Sequence, residues 1–336
     1  MRRQRATFLL FLLLMVQCLA QSEKMNGVSF VASRDSINQG HVAPVKNIHA
    51  NYVTLMPFGF LNSLTASSIK YQAKNQWFGE TKAGIQQYAH QFQKNKIKVL
   101  LKPQIWVARG EFTGFIEMDT EHNWQLLETS YESFILYYAT IANELNVAAF
   151  CIGTELEKFT IHRPDFWRKL IRKVRKIYQG KLTYAANWNE FHKVVFWDDL
   201  DMIGIDAYFP LTDVKNPTVD DFKLGWKLHK KAIMKSQKQF MKPIVFTEFG
   251  YRSIDFTGKE PWNSERIDGQ VNLLAQVNGL QAIYDVFWKE NWFAGGFVWK
   301  WFYKHDEVGG ISNNRFTPQN KPAADLLQYL YKQASH

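Results

Sequence analysis

A single (β/α)8 TIM barrel is the α/β fold class this sequence predicts. Three observations carry the prediction. Eight short apolar runs of β type recur along the 336 residues, longer amphipathic helical stretches lie among them, and no Gly/Ser-rich or Pro-rich linker divides the chain. Alternating β and α segments imply a parallel sheet. Eight strands of continuous apolar character favour closure over an open sheet. The open, doubly wound sheet is the alternative, and no strand here runs into the glycine-rich phosphate loop that such folds use. Single barrels with insertions reach this length.

The elements follow in order. Arg2, Arg3 and Arg5 precede an apolar run over residues 8–16 and then small residues. This is the layout of an export signal, and the run is too short to span a bilayer comfortably. Cleavage after Ala20 makes residues 1–20 the signal peptide and 21–336 the barrel domain, which places the mature chain outside the cytoplasm, secreted or periplasmic. Cys18 supplies an alternative, a lipid anchor at the cell surface, although Gln17 is a poor residue ahead of a lipidated Cys. No later segment is apolar and long enough for a membrane span. The expected strands cover residues 28–32, 52–56, 97–101, 147–152, 182–186, 202–205, 244–246 and 296–299. The expected helices cover 81–95, 125–145, 165–178, 219–239, 267–290 and, after the last strand, 318–332.

Composition narrows the function classes. A hydrophobic share of 46% and a charged share of 21% describe a globular protein with a core large enough to need no metal or disulfide. The 12 Trp favour carbohydrate, because indole faces stack on the apolar faces of sugar rings. The net charge of +10 falls to +7 without the signal, which holds three Arg and no acid. The basic residues sit largely in helical stretches such as 168–176 and read as a solvated face, so no nucleic-acid partner is expected. The nine His are scattered without H-x-H or H-E-x-x-H, so no metal site or cofactor is expected. Cys151 would be alone after cleavage and reads as a packing residue.

In such a barrel, chemistry sits where strands end and the following loops begin. The fourth strand runs into Gly153-Thr154-Glu155 and the seventh into Thr247-Glu248-Phe249-Gly250, and in a closed barrel these two ends face each other across the mouth. Glycoside hydrolysis needs a pair of carboxylates. One attacks the anomeric carbon; the other protonates the leaving oxygen and later activates water. Either Glu alone has an ordinary structural reading, Glu155 at a helix start and Glu248 at a strand end. Both at opposed strand ends point to catalysis.

The segments Gly153-Thr154-Glu155-Leu156-Glu157, Thr247-Glu248-Phe249-Gly250 and Gly295-Gly296-Phe297-Val298-Trp299 resemble glycoside hydrolase family 113, within a retaining clan. The resemblance extends from Val28 to beyond Trp301. It implies Glu155 as acid/base, Glu248 as nucleophile and β-1,4-mannan or manno-oligosaccharide as substrate. It also implies that Tyr208 hydrogen-bonds the nucleophile and that Trp299 floors the subsite of the cleaved sugar. Two departures stand out: Thr154 occupies the place of an Asn common in the clan, and residues 51–62 hold no Arg to support the nucleophile.

Other strand ends supply further candidates for substrate binding: Asn187 and Trp188 after strand 5, Lys102 and Gln104 after strand 3, and Trp301, which shares a strand face with Trp299. Asp206, Trp106 and Trp77 are weaker, and residues 112–124 are expected to shape the cleft. The alternatives are a barrel acting on another β-glycan (glucan, xylan or chitosan) and a catalytically silent carbohydrate-binding barrel.

Overall fold

The computed structural model describes residues 23–264 and 269–334; the export signal and Cys18 lie outside them. Eight strands form a closed parallel barrel: β1 (Met25–Phe30), β2 (Tyr52–Leu55), β3 (Lys98–Leu101), β4 (Ala149–Thr154), β5 (Lys181–Asn187), β6 (Ile203–Asp206), β7 (Ile244–Phe249) and β8 (Phe293–Trp301). Each strand pairs with its neighbour in sequence, and β8 closes on β1. The sequence expectation of a (β/α)8 barrel therefore holds, with every strand in its expected place.

The described residues form eight α-helices: α1 (Gln39–Asn47), α2 (Lys82–Lys94), α3 (Glu121–Glu144), α4 (Glu157–His162), α5 (Pro164–Ile177), α6 (Val219–Phe240), α7 (Leu273–Ile283) and α8 (Pro322–Gln333). Their starts are set by side chains that satisfy orphan N–H groups. Thr81 Oγ1 accepts from Gly84 N at 3.1 Å, Thr120 Oγ1 from Asn123 N at 3.2 Å, and Thr218 and Asp221 cap α6 reciprocally. α5 buries Phe166, Trp167, Leu170, Ile171 and Val174 on one stripe and leaves its Arg and Lys outside, so its basic run is a solvated face. β5 reaches β6 without an α-helix, through a 3-10 turn at Trp197–Asp199 whose Trp197 is fully buried.

Three features depart from the expected helices, and one is the short α4, which has no expected counterpart. α1 was not anticipated: its sequence carries an internal Pro44 and little amphipathic contrast. The seventh helix starts at Leu273, capped by Asn272, and finishes in a π-turn over Tyr284–Trp288.

The barrel interior below the mouth is filled from every direction by Met25, Tyr52, Leu100, Ala149, Cys151, Ala185, Met202, Val245 and Phe297. Cys151 packs there as a buried thiol. The larger core lies between strands and helices. Beyond β2 and β3, Phe58–Leu61 and Gln104–Val107 form a separate parallel pair. Pro57 and Pro103 separate these strands from the barrel, where proline cannot donate to a ladder. At the opposite end, α8 closes the first strand: Tyr331 Oη donates to Gly27 O at 2.7 Å.

Three strands carry bulges near the mouth. On β4, Cys151 and Thr154 oppose Thr183 and Ala185, three steps against two. On β7, Phe246 and Glu248 oppose consecutive Ile205 and Asp206. On β8, Val298 and Trp301 oppose Val28 and Phe30. An inserted residue changes which face the following side chain takes, so these bulges decide what reaches the mouth.

Candidate active site

A cleft of roughly 1160 Å3 opens at the C-terminal ends of the strands, and both Glu155 and Glu248 line it. On β7 the bulge lets two successive side chains serve the interior. Thr247 Oγ1 donates to Asp206 Oδ1 at 2.7 Å, and Glu248 reaches the cleft floor with its side chain 9% exposed.

Three donors converge on the Glu248 carboxylate. Lys102 Nζ donates to Oε1 at 2.6 Å, Gln104 Nε2 to the same oxygen at 3.1 Å, and Tyr208 Oη to Oε2 at 2.9 Å. Lys102 also donates to both oxygens of Asp206, at 3.2 and 3.3 Å, and is wholly buried. One ammonium thus bridges two carboxylates. Burial by itself would lower the Lys102 pKa, but Asp206 and Glu248 outweigh it and hold the ammonium above its ordinary range. Burial first, and the Glu248 charge second, push Asp206 up to about 7. Tyr208 is raised well above the usual phenol range by burial and then by Glu248. Support for Glu248 therefore comes from β3 and β6, which accounts for the absence of an Arg after β2.

Glu155 is built differently. It follows the β4 bulge, its φ is +51°, and its backbone N donates to Ala185 O at 2.8 Å. Its carboxylate makes no hydrogen bond to a described residue. Burial, then the Asp206 and Glu248 charges, hold its carboxyl well above the usual range, with Lys102 opposing. Thr113 Oγ1 donates to its backbone oxygen at 3.0 Å, tying the loop after β3 to it. Thr154 beside it turns a buried hydroxyl that finds no partner among the described residues. Behind Glu155, Leu156 N donates to Tyr184 Oη at 2.7 Å, Tyr184 donates to Glu190 Oε1 at 2.6 Å, and Glu190 Oε2 accepts from Asn187 N at 3.1 Å. Glu190 is fully buried, and burial raises it to about 7. The chain thus couples the turn after β4 to the end of β5.

Most of the other expected residues also reach the cleft. Tyr208, Asn187, Trp188 and Trp299 line it, as does Trp106, while Lys102, Gln104 and Asp206 act beneath it through Glu248. Trp188 stacks on Trp262, ring centroids 5.2 Å apart at 22°. Phe112 brings the expected loop after β3 to the cleft. Trp301 does not reach it: the residue is 1% exposed and stacks on His305. The β8 bulge between Val298 and Trp301 removes it from the face that Trp299 occupies. Trp77 lies away from the cleft, beside Arg34 at 5.8 Å. Sequence reading missed Trp262, Arg252, Lys300, Arg315 and Glu190. Only Lys300, which follows Trp299 directly, carried a positional signal.

A closed (β/α)8 barrel with two Glu side chains delivered by β4 and β7 to one cleft is the framework of a glycoside hydrolase. The chain belongs to Glycoside Hydrolase Family 113, whose family model matches residues 33–321. Among solved structures it is similar to the GH113 β-mannanase from Alicyclobacillus acidocaldarius in complex with ManMIm, at 24% identity and a TM-score of 0.81 over 93% of this chain and 98% of that one. A second GH113 β-1,4-mannanase, also solved as a complex, gives 22% identity and a TM-score of 0.80 over 92% and 99%. A β-glucuronidase from Ruminococcus gnavus shares 13% identity at a TM-score of 0.63, and the match covers half of that chain. At these identities the likeness is one of fold. No curated protein matches the chain.

Proposed function

We propose that the chain is a retaining hydrolase of β-1,4-mannan or manno-oligosaccharides, with Glu248 as nucleophile and Glu155 as acid/base. The observation that carries this reading is the asymmetry between the two carboxylates. Glu248 accepts three hydrogen bonds and is locked in orientation, as an attacking oxygen must be. Glu155 makes none with the described residues, and its raised pKa keeps a proton available for the leaving oxygen.

In the first step a Glu248 oxygen attacks the anomeric carbon of a sugar lying on Trp299, and Glu155 gives its proton to the departing glycosidic oxygen. The product is a glycosyl ester on Glu248. Glu155, now ionised, takes a proton from water as that water attacks the same carbon. The ester breaks, and two inversions leave the configuration retained. Tyr208 and Lys102, each hydrogen-bonded to a Glu248 oxygen, stand where the carboxylate's charge changes. Asn187 and Trp188 are assigned to substrate contacts on the β5 side. The mannan preference rests on the family and on the β-mannanases that share the fold, and export rests on the N-terminal pattern of the sequence.

The test is reducing-end release from mannan, β-glucan, xylan and chitosan by the wild type and by Glu248→Ala. Release from mannan, lost by at least about a thousandfold in the variant, with the β-anomer appearing first by NMR, is the expected result. Release from a different glycan would overturn the substrate. Undiminished release by the variant would overturn the nucleophile.

A further inference from the structure

Two cations in the cleft have no role in holding the catalytic pair. Lys300 follows Trp299 at the end of β8, Arg315 lies on the loop before α8, and both line the cleft. The buried lysines are matched: Lys24 donates to Glu290 O at 2.7 Å, Lys102 has two carboxylates, and Lys321 donates to Ser253 Oγ at 2.9 Å and Arg315 O at 2.7 Å. Lys300 and Arg315 pair with no carboxylate among the described residues. The Lys300 ammonium makes no hydrogen bond there and lies 5.2 Å from the Trp299 ring centre and 5.4 Å from that of Phe302. Arg315 gives one long hydrogen bond, to Ser264 O at 3.3 Å.

Such an arrangement leaves the Lys300 ammonium without a carboxylate partner among the described residues. A half-enclosed ammonium against aromatic rings has lost part of its water and finds no acceptor among the described residues, and the charges that act on it are of both signs, Glu248 and Arg315. Burial lowers the Lys300 pKa, the Glu248 charge opposes this and Arg315 adds to it. Glu248 is already satisfied by Lys102, and Glu307, which also lines the cleft, pairs with Lys304 at 3.3 Å. Neutral sugar hydroxyls need no full charge to be recognised. A carboxylate on the ligand would remove the imbalance, and an ammonium with a planar guanidinium is a donor set that matches it.

We infer that Lys300 and Arg315 form an anion-recognising subsite beside Trp299 that accepts a carboxylate-bearing pyranose, a hexuronate unit of the glycan. The inference rests on reading the cleft as the glycoside-binding site. The uronate can belong to the main chain or to a branch, and the probes separate these sources.

Titration calorimetry on full-length Glu155→Gln protein, in which hydrolysis is slowed, compares mannobiose, β-1,4-linked dimannuronate and mannobiose bearing a glucuronosyl branch. At low salt at least one acidic ligand is expected to bind about tenfold or more tighter than mannobiose. Which one does so identifies the source. The advantage is expected to shrink with added salt and to vanish on adding Lys300→Met or, separately, Arg315→Gln, with mannobiose affinity unchanged. Equal or tighter binding of mannobiose, no binding of either acidic ligand, or an acidic preference that survives both substitutions overturns the inference. Wild-type release from neutral mannan is assayed in parallel. Its presence alongside any of those failures leaves the mannanase reading standing, and its absence from every glycan removes both.

Discussion

Lys102 is the residue on which the site's charge balance turns. It is wholly buried between Asp206 and Glu248, so Lys102→Met leaves two carboxylates without their shared cation. Removing one partner of a buried pair costs about 3–5 kcal/mol. The variant is expected to unfold at distinctly lower denaturant concentration and to lose at least about a hundredfold in kcat/KM. Denaturation and initial-rate measurements on one preparation check both. Glu155 makes a separate prediction. Its carboxyl is held well above the usual range by burial and then by Asp206 and Glu248, so the protonated, proton-donating form persists to higher pH. Activity should fall as pH rises through that raised pKa. In Glu155→Gln this alkaline limb should disappear, and turnover of an aryl β-mannoside with an acidic phenol should suffer far less than turnover of mannobiose. A retained alkaline limb in the variant would assign the acid elsewhere.

At the scale of elements, the bulges place the two carboxylates. Gly153 sits in the β4 bulge, where an added Cβ would lie 2.6 Å from Tyr131 Oη, 2.8 Å from Trp167 and 3.0 Å from Tyr184. Those rings are buried and packed on one another, so they cannot yield cheaply. Gly153→Ala is expected to cost about 1–3 kcal/mol and, because Tyr184 holds the turn after Glu155, to lower kcat more than it raises KM. Thermal unfolding beside steady-state kinetics tests this. The strands themselves were legible because parallel barrel strands are apolar on both faces and stand out from amphipathic helices. The bulges were not, since an extra residue in a strand leaves no mark on periodicity; Trp301 was assigned to the cleft for that reason. α1 and the short pair Phe58–Leu61 with Gln104–Val107 were missed because proline and short length mask their patterns. Glu155 and Glu248 were readable as polar residues closing apolar runs. Trp262, Arg252 and Arg315 lie on loops whose course depends on tertiary packing, and no spacing announces them.

Across the whole molecule, two buried acids tie stability to pH. Burial raises Glu80 and Glu190 from 4.5 to about 7, with Gln76 and Tyr184 respectively opposing. A carboxyl whose folded pKa is raised binds its proton more tightly in the folded state. Its contribution is complete below about pH 4.5 and is lost as pH rises towards 7. Stability should therefore decline across that interval by on the order of a few kcal/mol, and the melting temperature with it. Glu80→Gln with Glu190→Gln, which keeps one acceptor oxygen where Glu190 offers Tyr184 and Asn187 two, should flatten the decline. An unchanged slope in the double variant would place the linkage elsewhere, the Asp206 cluster being the next candidate.

The stacked indoles of Trp188 and Trp262 have a consequence of another kind. Two transition dipoles this close, 5.2 Å apart and inclined by 22°, exchange excitation and give a paired circular-dichroism signal that separated chromophores lack. The two rings come from the loops after β5 and β7 and border the cleft on one side. Any occupant that wedges between them or tilts one changes that signal directly. The chain thus carries its own optical gauge of cleft occupancy, readable without label or turnover, and Trp262→Phe silences it.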